Sequence, residues 1–152
     1  DKETFLGLCA FIAPVRRRIG SWFETKDFSI LHAYLMDLLT GVQDGSDVDN
    51  RIKAFCVQFP QNRSHRWVRD LAAELLHFSD MEQYPLMTRW VWDQSANTGV
   101  IREIWYANDI DHISLDILDT YETHLVLREE LSQFLASNGV FRDVLYYLDF
   151  LI

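Results

Sequence analysis

Turn-forming residues are scarce in this chain, whose 152 residues include only six glycines and three prolines. Sandwiches and barrels of many short strands need frequent turn chemistry, so the shortage excludes them and suits long helices with few connections. Cysteine is nearly absent as well. Cys9 and Cys56 fall in apolar registers, beside Leu8 and Phe55, where a free thiol packs as a small hydrophobe. A reduced pair of core residues is expected, and with it a cytoplasmic location. Basic charge is the third shortage: 14 Lys and Arg stand against 23 Asp and Glu, a net charge of −9. That sign repels phosphate backbones and anionic membrane surfaces, so nucleic acid is an unexpected partner and a membrane is not expected at all. A basic partner is easier to accommodate.

Long apolar runs are missing too. The longest near the start, residues 5–15, is too short to span a bilayer, and it follows Asp1 and Glu3 and precedes Arg16, Arg17 and Arg18. This charge order is the reverse of a secretion signal. The chain starts without Met and stops inside the apolar stretch 144–152, so truncation at one or both ends is expected. Also absent are Gly-x-Ser-x-Gly, a glycine-rich phosphate loop, Cys-x-x-Cys and His-Glu-x-x-His, which removes the usual hydrolase, nucleotide, redox and zinc signatures.

What remains is plentiful apolar surface. Hydrophobic residues make up 49% of the chain and aromatics 14%, enough to offset the entropy of ordering one core at this length. Apolar residues recur at helical spacing along most of the chain, and no segment alternates with period two. The expected fold is all-α: a single-domain compact bundle or array of about seven to eight helices over residues 1–152, with short loops that favour antiparallel neighbours.

The first apolar series, Phe5, Leu8, Ile12, Val15, Ile19 and Trp22, predicts a helix that Pro14 kinks or restarts. Asp27 is the expected N-cap of a second helix through Leu31, Leu35 and Leu38. A third carries Val48, Ile52, Phe55 and Phe59 up to Pro60. The fourth begins near Asn62 or Ser64 and presents Leu71, Leu75 and Phe78 inward. Pro85 suits the first turn of a fifth, with Leu86, Trp90 and Val91, and a sixth holds Ile101, Ile104 and Trp105. Asp119 to Glu122 reads as a capping-box variant, Asn138-Gly139 as a helix stop, and a last helix follows through Val144 and Leu148. The pattern leaves open whether 110–137 is one helix or two.

Three constellations bear on function. Glu74 and His77 lie three apart on one helical face, the spacing that carboxylate-bridged di-iron bundles use; Asp109 with His112 repeats it, and His32 is a further candidate ligand. Arg66, Asp70, Glu74 and His77 also follow one another as an ordinary solvated stripe of weak ion pairs, which needs no metal. No cofactor is therefore expected. The second constellation is basic: Arg63, Arg66 and Arg69 around Trp67 at a helix start, where cations oppose the dipole, could hold phosphate or single-stranded nucleic acid unless the chain's own acids pair with them. The third is aromatic. Tyr146, Tyr147 and Phe150 cover more than one side of the last helix and call for burial against a protein partner or a second copy.

By elimination, the leading expectation is a non-catalytic helical module for protein interaction or regulation, acting as a subunit of an assembly. A metal-dependent, di-iron-like oxidoreductase or hydrolase built on Glu74, His77, Asp109 and His112 is the alternative. Phosphate or nucleic-acid binding through Arg63, Arg66 and Arg69 is the third reading.

Overall fold

The computed structural model describes residues 1–24, 26–41, 45–104 and 114–140. Among the described residues there are eight α-helices, one 3-10 turn and no strand, so the all-α expectation holds. Contacts within the chain gather into two units, Asp1–Ser79 and Asp80–Ile152.

The first unit opens with three short helices, α1 (Lys2–Cys9), α2 (Ala13–Arg16) and α3 (Ile19–Trp22), where the apolar series predicts a helix that Pro14 kinks or restarts, and the chain restarts there. Pro14 is the reason: it has no N–H to continue α1, and it sits in the first turn of α2, where that N–H is not needed. Helix α4 (Phe28–Leu39) starts where predicted, its cap Asp27 accepting a hydrogen bond from the Ser29 amide at 3.0 Å. That bond holds the Asp27 carboxyl below its ordinary range. Helix α5 (Val48–Cys56) follows. Arg51 on α5 donates to the Leu38 carbonyl at 2.8 Å, pairs with Asp47 at 2.9 Å and lies so close over Gly41 that a side chain there has no room.

Asn62 caps a 3-10 turn (Arg63–His65) that leads into α6 (Trp67–Ser79), the centre of this unit. Helix α6 packs against α2, α4 and α5. With neighbours on several sides it buries Trp67, Val68, Leu71, Ala72, Ala73 and Leu76, and Asp70 and His77 as well. The expected register is thus corrected: Phe78 is 64% exposed, while the polar stripe assigned to water turns inward at Asp70 and His77. Small Ala72 and Ala73 let neighbouring backbones approach closely, which widens the buried arc beyond the leucine face.

The second unit departs further from helical periodicity. Residues 80–99 form turns and not the predicted fifth helix, with an isolated bridge between Asp93 and Thr98. Pro85 removes the N–H that the Met81 carbonyl would accept in a helix. Side chains of α8 (Tyr121–Ser137) supply the missing donors. Arg128 donates to the carbonyls of Met81, Glu82 and Tyr84 at 2.6, 2.9 and 3.3 Å, and the Tyr121 hydroxyl donates to Gln83 at 2.7 Å. The core here joins Trp92, Ile101 on α7 (Val100–Ile104) and Leu115, and the Trp92 indole donates to the Ile117 carbonyl at 2.9 Å.

Helix α8 begins at Tyr121, so a separate helix starts there, and residues 114–119 are not helical. Its cap is Thr120, whose hydroxyl accepts from the Thr123 amide, so the cap sits one residue beyond the Asp119 that opens the expected box. It ends at Ser137, and Gly139 takes φ +77° as the stop signal predicts. The predicted last helix beyond Val140 lies outside the described residues.

Gly99 is the tightest point of this unit. At φ +133° a Cβ would sit 2.5 Å from the Val91 carbonyl oxygen and 2.9 Å from the Trp92 Cα, so backbone itself must move to admit one. Gly99→Ala is expected to cost about 1–3 kcal/mol in a denaturant titration, in contrast to Gly139→Ala, whose surroundings are open and whose cost is about 1 kcal/mol from φ alone.

Candidate functional site

The proposed metal ligands do not assemble among the described residues, where no three His, Cys, Asp or Glu side chains come together. Glu74 and His77 share α6, but His32 is exposed on α4 and packs its ring near Phe28. Asp109 and His112 lie outside the described residues. His77 is buried and makes an edge contact with the Phe78 ring at 5.0 Å. Glu74 is half-buried, and loss of solvent together with nearby Asp70 raises its carboxyl above the ordinary value of 4.5.

The two cysteines are free, as expected, and both are poor nucleophiles. Burial pushes the Cys9 thiol to about 12 and the Cys56 thiol to about 11. At neutral pH both are protonated, and it is the thiolate that attacks or ligates.

The basic residues are arranged differently from the expectation. Trp67 is 2% exposed, its ring against Phe59, so it offers no open stacking face. Arg63 is exposed, and Arg66 and Arg69 are half-buried and engaged within the fold. The cations that converge are Arg18 and Lys26, from an earlier part of the chain. Arg18 donates to the Ser64 carbonyl at 3.3 Å and, with Lys26 and His65, lines a cleft of about 330 Å³ whose other walls are Ser21, Trp22, Pro60, Ser64 and Trp67. No carboxylate lines it. Asn62 orients His65 by accepting from its Nδ1 at 2.8 Å, while also accepting from the Ser64 amide. Among the described residues no acid lies within ion-pair distance of Arg16, Arg17, Arg18, Lys26 or Arg63.

Charge is divided unequally along the chain. Residues 1–79 hold ten basic and ten acidic residues; residues 80–152 hold four and thirteen. The net negative charge thus belongs to the second unit. There an open groove of about 780 Å³ runs between α8 and the segment before it. Its apolar wall is Ile101, Ile117, Leu118, Val126 and Leu127, with Leu118 60% and Val126 54% exposed. Its charged lining among the described residues is Asp116, Glu122 and Glu130, with no base. Periodicity hid this groove because α8 carries apolar residues on more than one side, and only the irregular stretch before it selects which are left open. Tyr146, Tyr147 and Phe150, the expected interface, lie outside the described residues.

Two stability measurements follow from α6. His77, buried on the helix where a solvated stripe is expected, makes His77→Ala cost about 2 kcal/mol in a denaturant titration, well above a surface substitution. The folded state binds the Glu74 proton more tightly than the unfolded state, so this group favours folding fully below pH 4.5 and loses that contribution as pH rises through the raised value. Glu74→Gln should therefore raise the thermal midpoint at pH 7 and leave it unchanged near pH 4.

The chain matches no protein-family model, no curated protein and no solved structure.

Proposed function

We propose that the chain is a non-catalytic interaction module whose second-unit groove receives the apolar face of a basic amphipathic helix from a partner protein. One observation carries the reading: an apolar trough with exposed Leu118 and Val126 is rimmed by Asp116, Glu122 and Glu130 and by no cation. Exposed aliphatic side chains gain by being covered, at roughly 25 cal/mol per Å² removed from water. An acidic rim steers a basic partner in and rejects an acidic one. Apolar anchors at i, i+3 and i+4 of a helix are the pattern such a groove accepts. The surplus of acids in 80–152 extends the same field beyond the rim. Among the described residues no helix is long and apolar enough to cross a membrane, and the free thiols support a reducing compartment, the cytoplasm.

Fluorescence anisotropy with labelled helical peptides tests this. A leucine-faced peptide with Lys and Arg on its polar side is expected to bind in the micromolar range, more weakly as salt rises, and Val126→Asp or Leu118→Asp should weaken it about tenfold or more. Glu122→Lys with Glu130→Lys should reverse the preference toward an acidic peptide. Equal binding of acidic and basic peptides, or indifference to Val126→Asp, refutes the reading. A peptide of residues 141–152, carrying Tyr146, Tyr147 and Phe150, is the competing occupant; if it binds more tightly than the basic helix, self-association replaces the foreign partner.

A further inference from the structure

We infer that the cleft of the first unit is a binding site for a phosphate monoester, with Arg18 and Lys26 neutralising the dianion and Trp22 walling the group that carries it. The residues come from two separated stretches of sequence, 18–26 and 60–67, and folding sets Arg18 against the Ser64 carbonyl beside His65. Two full positive charges thus share a cleft without a carboxylate, although the same unit holds ten acids. Like charges brought together are unfavourable until an anion joins them, and a monoester at pH 7 carries a charge of about −1.5 to −2, a match for one Arg and one Lys.

The hydrogen-bonding groups suit the same ligand. Asn62 Oδ1 accepts from the Ser64 amide, which can only donate, so it also accepts from His65 Nδ1, and that nitrogen carries the proton. The other ring nitrogen, Nε2, is then the one left to meet a ligand, and it becomes a donor when the ring is charged. The Ser21 and Ser64 hydroxyls also line the walls, but each already donates within the fold, Ser21 to the Arg18 carbonyl at 2.8 Å and Ser64 to Asn62 at 2.6 Å. Their remaining capacity is as acceptors, which serves a hydroxyl of the carried group. Trp22 is half-buried, its ring braced by Phe23 and Phe59 at 5.2 and 5.8 Å, so it presents a fixed apolar wall. A volume of about 330 Å³ exceeds a bare phosphate and leaves room for the group that carries it. The site is independent of the groove in the second unit.

Titration of the ¹⁵N-labelled full chain, followed by amide and indole chemical shifts, is the test, with adenosine monophosphate, ribose 5-phosphate and inorganic phosphate as probes at constant ionic strength. Saturable shifts are expected at residues 18–26 and 60–67, with adenosine monophosphate binding at least threefold more tightly than inorganic phosphate. Lys26→Gln, a change at an exposed side chain, should weaken binding about tenfold, and Arg18→Gln with Lys26→Gln should abolish it, while Arg63→Gln leaves it within twofold. Absence of saturable shifts up to about 10 mM, or equal binding by the double variant with an unchanged spectrum, overturns the site. Equal affinity for all three probes removes the role of Trp22. Tighter, steeply salt-dependent binding of a single-stranded oligonucleotide that also needs Arg63 would overturn the monoester assignment in favour of nucleic acid.

Discussion

Four successive carbonyl oxygens, those of Met81, Glu82, Gln83 and Tyr84, depend on α8 for their donors. A buried carbonyl without a partner costs about 1–3 kcal/mol, a penalty that applies at buried Tyr84, and Arg128 and Tyr121 supply bonds that this irregular stretch does not make as a helix. Arg128 can do so because its guanidinium presents five donors in a fixed plane, and it is itself 2% exposed, which makes each bond stronger than the same contact in water. The consequence reaches the surface. Once Arg128 and Tyr121 fix α8 against residues 81–84, the opposite side of the helix, with Val126 and Glu130, is held facing Ile117 and Leu118, and a groove exists.

The helices of the first unit were largely legible because their signals are local: Asp27 and Asn62 as caps, Pro14 and Pro60 as breaks, and leucines at helical spacing on α4. The inward turn of Asp70 and His77 was not legible. A polar stripe reads as solvated unless one knows that three other helices enclose α6, and that enclosure is a tertiary property. The second unit resisted for a different reason. Leu86, Trp90 and Val91 at helical spacing are consistent with a helix, yet the absent N–H of Pro85 and the carbonyl-directed donors of Arg128, more than forty residues away, favour turns. Nothing in a window of neighbouring residues reports such a partner.

The same distinction governs the two candidate surfaces. The basic run at Arg63, Arg66 and Arg69 is conspicuous in sequence, but α6 draws part of it into the fold, while Arg18 and Lys26 meet His65 only in three dimensions. Net charge misled in a similar way. A chain at −9 looks uniformly hostile to anions, yet the first unit is balanced and the excess of acids lies in the second. Each surface then answers to its local field: a cleft lined by cations in one unit, a trough rimmed by carboxylates in the other.

Gly41 and Arg51 are joined by more than proximity. The guanidinium occupies the space a Cβ at position 41 would need, and from there it reaches both the Leu38 carbonyl at the end of α4 and Asp47 ahead of α5. A side chain at position 41 must push that guanidinium aside and give up those two partners, so what position 41 tolerates is set by residue 51, and the two positions are coupled and not additive.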